Sequence, residues 1–175
     1  MGAGRLTAAL AAIVLLLVAG CDGAKTGEPP AAGTGVVARV NDGDTLTLEH
    51  GAKIRLVQVD APELGADCFG RDARDALASL VPPGAGVRLV RDPALDDRDT
   101  YGRLLRYVVA GDTDVNVELV LRGAASPYFF RNERGMHAEE LLDAVDGARD
   151  GRRGYWGACP AARLNTGLGA LTGPA

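Results

Sequence analysis

The sequence predicts an α+β domain of five strands and three helices. Strand signals crowd the first half, helical spacings take over later, and no internal repeat breaks that order. Short β-branched-rich runs at 35–40, 45–49 and 53–59 are separated by Asp42-Gly43 and His50-Gly51, residues suited to tight turns, so the three read as a meander. Ala73, Leu77 and Leu80 recur at helical spacing within 70–81, and Pro82-Pro83-Gly84 stops that helix. Residues 86–90 and 104–109 read as two further strands. Asp114 is placed to cap a helix over 115–122 that Gly123 ends. Leu141, Leu142, Val145 and Ala148 share one face of a third helix over 137–148.

The ends stand apart from this domain. After Arg5 the run Ala8 to Ala19 is apolar throughout. It is too short for the roughly 20 residues of a membrane-spanning helix, and residues 1–20 read as a secretory signal peptide. Leu17-Val18-Ala19-Gly20-Cys21 looks like the lipobox of bacterial lipoproteins, so Cys21 is the expected lipidated N-terminus, tethering the protein to the outer face of the cell membrane. Ordinary signal cleavage near the same place is the alternative. Residues 21–34, rich in Gly, Pro, Ala and Thr, read as a flexible linker, and 160–175 as a disordered tail, leaving 35–159 as the folded domain.

Export bears on the cysteines and the charge. Without Cys21, Cys68 and Cys159 form an even pair in an oxidising compartment, where a disulfide is expected. With 2 histidines and no Cys-x-x-Cys, a zinc site is not expected. Phosphate-loop, Gly-x-Ser-x-Gly and His-Glu-x-x-His patterns are absent, which removes three hydrolase classes. The formal net charge is −4, and Arg5 is the one charged side chain of residues 1–20, so the remainder is more acidic still. Nucleic-acid binders are usually basic. An acidic chain reaches phosphate through local arginines and a divalent cation, with less long-range steering.

Several residues have both a chemical and a structural reading. Asp42-Gly43-Asp44 suits a hairpin turn, and Asp96, Asp97 and Asp99 suit a solvated loop. An EF-hand is excluded, because Leu46 and Val117 stand where its ligands and glycine belong. A hard cation held by carboxylates from separate turns is what remains, with Asp44 and Asp60, at strand ends, as the candidates. Arg55 lies five residues before Asp60, so on an ideal strand the two face opposite ways. Both reach one site only if the chain bends around Val59-Asp60, which Pro62 favours. A lone arginine on an apolar face is more often an ion-pair partner than a catalyst. Asp60, Glu63 and Arg103, following in order, favour the chemical role. Arg103, after Tyr101-Gly102, is either a surface charge or a bidentate phosphate donor. Tyr101 and Tyr128 are candidate substrate-binding aromatics; with Phe130 they could also stack on a base or fill core, and core is the expectation.

In register, Asn41-Asp42-Gly43-Asp44-Thr45, Arg55-Leu56 with Val59-Asp60-Ala61-Pro62-Glu63, Tyr101-Gly102-Arg103, Val117 to Gly123 and Gly154-Tyr155-Trp156-Gly157 resemble the staphylococcal nuclease (thermonuclease) family across 35–159. The resemblance implies a five-stranded OB-type β-barrel, where periodicity alone supports only α+β. It implies Ca²⁺ bound by Asp44, Asp60 and the Ala61 carbonyl, Glu63 orienting or deprotonating water, and Arg55 and Arg103 holding phosphate. Ala61 stands where some members have Thr, a departure of small cost if only the carbonyl binds. The expected activity is that of an extracellular, monomeric, calcium-dependent nuclease. It would hydrolyse DNA and RNA by in-line attack of water, with the 5′ oxygen leaving to give 3′-phosphates. The acidic charge departs from the family and implies weaker substrate binding. The other reading is a non-catalytic OB-type binding module or envelope adaptor on the lipid anchor, which the complete set Asp44, Arg55, Asp60, Glu63 and Arg103 disfavours.

Overall fold

The structure, a computed structural model, describes residues 1–2 and 33–175. Residues 3–20 of the expected signal, Cys21 and the linker to residue 32 lie outside the described residues. Strands β1 (Gly33–Val40), β2 (Thr45–Leu48) and β3 (Lys53–Leu56) form the expected antiparallel meander, with Val40 opposite Leu46 and Thr45 opposite Arg55. A two-residue strand β4 (Val59–Asp60) follows, then helix α1 (Gly70–Leu80) and strand β5 (Gly86–Val90), which returns antiparallel to β1. Strand β6 (Leu104–Ala110) pairs antiparallel with β5 and parallel with β3, closing a five-stranded barrel in the order β1-β2-β3-β6-β5. Its inward residues include Val37, Leu46, Leu48, Ile54, Leu56, Leu89 and Val108.

The helices close one end of this core. After β7 (Thr113–Asp114), helix α2 (Val115–Leu121) begins as expected on Asp114, whose side chain accepts from Val117 N–H at 3.1 Å. Strand β8 (Ser126–Pro127) pairs with β4, and α3 (Ala138–Asp150) buries Leu141, Ala144, Val145 and Ala148. The third helix runs past the expected Ala148, because its last exposed turn carries polar residues that the apolar spacing does not mark. A single-turn helix α4 (Tyr155–Ala158) ends at Cys159, which is bonded to Cys68 as expected. Among the described residues no helix is long and apolar enough to cross a membrane.

β1 begins at Gly33, two residues inside the linker expected over 21–34, and two further expectations need correction. The run 53–59 is not one strand. Gln58 adopts φ 60° and breaks it into β3 and β4, one step before the expected bend at Val59-Asp60. Its amide secures this left-handed turn, donating to the Glu133 carbonyl at 2.8 Å and accepting from Tyr107 Oη and Gly135 N–H. Residues 160–175 do not form a disordered tail either. Strands β9 (Arg163–Asn165) and β10 (Gly169–Leu171) make a hairpin whose turn carbonyl, on Thr166, accepts from Phe129 N–H at 2.7 Å. Loop-like composition hid a segment ordered by backbone hydrogen bonds, which demand no hydrophobic period.

Asn116 supports the place where β3 leaves the sheet. Fully buried on α2, it accepts from Val108 N–H at 3.0 Å and donates to the Val57 carbonyl at 2.8 Å. It replaces strand pairing that the turn interrupts, so its loss strands buried backbone groups. Asn116→Ala should destabilise the domain by about 2–3 kcal/mol, read as a lowered urea midpoint at unchanged slope.

Candidate active site

The bend at Gln58 decides what meets what. By turning the chain over between Leu56 and Val59, it brings Asp60 back to Arg55 despite their odd separation. The Arg55 guanidinium fills the turn: Nη1 donates to the carbonyls of Leu56 and Val59 at 2.7 and 2.6 Å. Nη2 reaches Asp60 Oδ1 at 2.8 Å and Asp44 Oδ2 at 3.0 Å. One cation thus joins the β1–β2 turn to the end of β4.

Asp44 is the most constrained acid. The turn before it is set by Asp42 Oδ1, which accepts from Asp44 N–H at 3.1 Å. Gly43 is required there, since a Cβ would overlap Ala61 and Ala73. Asp44 Oδ2 also accepts from Ala61 N–H at 2.9 Å, and Oδ1 from Thr45 Oγ1 at 3.0 Å. Burial pushes its carboxyl up to about 7; Arg55 opposes the rise, while Asp42 and Asp60 add to it.

Arg103 enters from the start of β6. The loop expected to be solvated does expose Asp96, but its Asp99 is an anchor. Asp99 Oδ2 accepts from Arg103 Nε at 2.6 Å, and Oδ1 from the Arg103 and Tyr101 N–H groups at 2.9 Å. Burial alone would raise the Asp99 carboxyl, but the hydrogen bonds from Arg103 and Tyr101 hold it below its ordinary value. Arg103 Nη1 donates to Thr45 Oγ1 at 3.2 Å, linking it to Asp44 through one hydroxyl. Asp99 was missed as a site residue, though its spacing of four to Arg103 across a turn was a usable signal.

These groups line one cavity of about 160 Å³, bounded by Asp42, Asp44, Arg55, Asp60, Ala61, Glu63 and Arg103. Every residue expected in catalysis or metal binding lies on its wall. Glu63 is exposed at its edge, on a loop tied by its own N–H to Asp67 Oδ2 at 2.9 Å. Four carboxylates face two guanidiniums, so the wall is anionic as it stands. Its all-oxygen donor set, with Asp44 buried among carboxylates that Arg55 only partly offsets, suits a hard divalent cation. Among the described residues no group of three or more acids, histidines or cysteines converges as a ready-made metal cluster. Any such cation would therefore depend on the backbone carbonyl and solvent for further ligands.

A second cavity of about 300 Å³ shares Arg55 and Arg103 with the first and is edged by Tyr101, Tyr128, Phe130 and Arg98. Tyr101 is 83% exposed and Phe130 52% exposed, so the expectation that these rings fill core is wrong; Phe129, 1% exposed, takes that role. Positive charge lies near both exposed rings, with Arg103 5.4 Å above Tyr101 and Arg131 4.9 Å above Phe130.

Comparison with known proteins agrees with the geometry. The family described as "Staphylococcal nuclease homologue" matches residues 53–158. The chain is similar to the thermonuclease of Staphylococcus hyicus, 30% identical over 128 residues that cover 69% of this chain and 73% of the relative. It is also similar to the thermonuclease of Staphylococcus intermedius, 33% identical over 103 residues, 54% of this chain and 60% of the relative.

Asp44 generates a prediction with a definite sign. The cation-free folded state holds a proton on Asp44 up to about pH 7, whereas the unfolded chain releases it near 3.8. Stability from this group is therefore complete below the lower value and lost as pH rises to the upper one, by up to about 4 kcal/mol. Urea unfolding with chelator present should show this decline, and Asp44→Asn should flatten it; an equal slope in both proteins would refute the assignment.

Proposed function

The chain belongs to the staphylococcal nuclease family, and on that premise we propose that it is a calcium-dependent nuclease hydrolysing DNA and RNA by in-line attack of water to give 3′-phosphates. The observation that carries this reading is the single cavity joining Asp44, Arg55, Asp60, Glu63 and Arg103, next to an aromatic-edged cavity of nucleotide size. A binding module has no need of an exposed carboxylate beside two guanidiniums.

In this reading Asp44, Asp60 and the Ala61 carbonyl hold the cation. When bound, calcium would supply Lewis acidity at a phosphate oxygen and offset the anionic wall. Glu63 takes the proton from the attacking water at its carboxylate, a role its exposure at the cavity edge permits. Arg55 and Arg103 donate N–H groups to the phosphate oxygens as negative charge builds in the five-coordinate transition state. Their aim is fixed beforehand, Arg55 by two carbonyls and Arg103 by Asp99. Tyr101 and Tyr128 offer faces for the adjoining base.

Export through residues 1–20 and tethering at Cys21 belong to the same reading. It is supported by the sequence and by the Cys68–Cys159 bond, which suits an oxidising compartment.

Glu63→Gln should keep the fold and calcium binding while lowering kcat roughly 10²- to 10⁴-fold; full activity would show that the base is misassigned. Arg103→Lys should cost roughly 10²-fold or more in kcat. Cleavage of DNA by the parent that is indifferent to chelator would remove calcium from the mechanism.

A further inference from the structure

The family match ends at residue 158, yet the segment beyond it touches Asp60 and the loop that carries Glu63. Asp60 Oδ1 is held by Arg55, and Oδ2 accepts the N–H of Ala170 at 2.9 Å. That N–H points away from β9 and at the carboxylate. Gly169, at φ 84°, lies so close to the Asp60 carboxylate that a Cβ there would overlap it. Asp60 is therefore enclosed on one side by the barrel and on the other by the C-terminal hairpin. Its rotation is fixed by a donor from each.

The last residues then cross to the loop that carries Glu63. Cys68 N–H donates to the Gly173 carbonyl at 2.8 Å, and Ala175 N–H donates to the Ala66 carbonyl at 3.0 Å. Asp67 and Pro174 form an antiparallel bridge between these bonds. The Cys68–Cys159 bond ties the same loop to the start of the segment. A carboxylate that must ligate or accept a proton acts from one orientation, and partners outside the first ring of ligands supply that orientation.

We propose that residues 163–175 form a C-terminal strap that positions the catalytic carboxylates, with Gly169 and the Ala170 N–H as positioning groups for Asp60 and residues 173–175 as a clamp on the Glu63 loop. The inference rests on the nuclease reading above. It assigns a role in the reaction to a segment outside the matched region.

The test uses the full chain bearing Gly169→Ala or Ala170→Pro, with Leu168→Ala, at the exposed hairpin turn, as control. Calcium affinity is measured by isothermal titration, cleavage of a single-stranded DNA oligonucleotide gives kcat and KM, and circular dichroism reports folding. The strap requires calcium affinity to fall roughly 10- to 100-fold in both site variants, with kcat reduced and KM for DNA nearly unchanged. Leu168→Ala should match the parent. A merely structural hairpin would lower the melting temperature while leaving the calcium affinity of the folded variants within about twofold of the parent, and that result overturns the proposal. If Gly169→Ala does not fold, Ala170→Pro, which replaces that N–H with a ring carbon facing Asp60 and so removes the donor, decides alone. A parent that neither binds calcium nor cleaves DNA fails at an earlier step, overturning the nuclease reading and the strap with it.

Discussion

The Arg55 guanidinium closes the turn that carries the site and also sets the charge within it. Its two carbonyl contacts, together with the Gln58 amide, hold the backbone reversal at 56–59, and its other nitrogen keeps Asp44 and Asp60 within reach of each other. Without that cation two carboxylates, one of them almost wholly buried, would face each other uncompensated, a strongly unfavourable arrangement. The barrel makes the convergence possible: β2 delivers Asp44, β3 delivers Arg55 and β6 delivers Arg103, three strands that are neighbours because β3 and β6 pair.

What the sequence discloses of this arrangement follows a physical division. The meander was legible because Asp-Gly and His-Gly turns and β-branched runs are local signals. The helices were legible from apolar spacing and from Asp114 as a cap. Closure of the barrel was not local; parallel pairing of β3 with β6 joins residues about fifty apart, and only the resemblance to a known family carried it. The residues that share the cavity could be grouped from the sequence, since each sits in a short motif. Their supports were hidden, because Gln58, Asn116 and Asp99 act through side-chain bonds to distant backbone or across a turn. A glutamine within an apolar run was the one visible hint at Gln58. The tail was misread because its order comes from backbone hydrogen bonds to residues 66, 68 and 129.

The acidic balance of the chain and the phosphate-binding role proposed for its site are reconciled locally. Several arginines here are paired with acids at the surface, as Arg122 is with Glu118 and Arg74 with Asp75, and such pairs add little long-range field. Arg98, Arg103 and Arg131 line the larger cavity beside its exposed rings, with Arg103 held in place by Asp99. A substrate would therefore be held by short-range contact more than drawn in from a distance, which ties recognition to stacking and to the cation.

The bond between Cys68 and Cys159 has one consequence for where the protein can be active. It anchors the loop bearing Glu63 and closes only where thiols are oxidised. In a reducing cytosol a newly made chain carries two free thiols instead, and that loop is held by a few hydrogen bonds without the covalent tie. In the proposed reading, chemistry able to damage the cell's own genetic material would thus gain this covalent brace only in a compartment apart from that material.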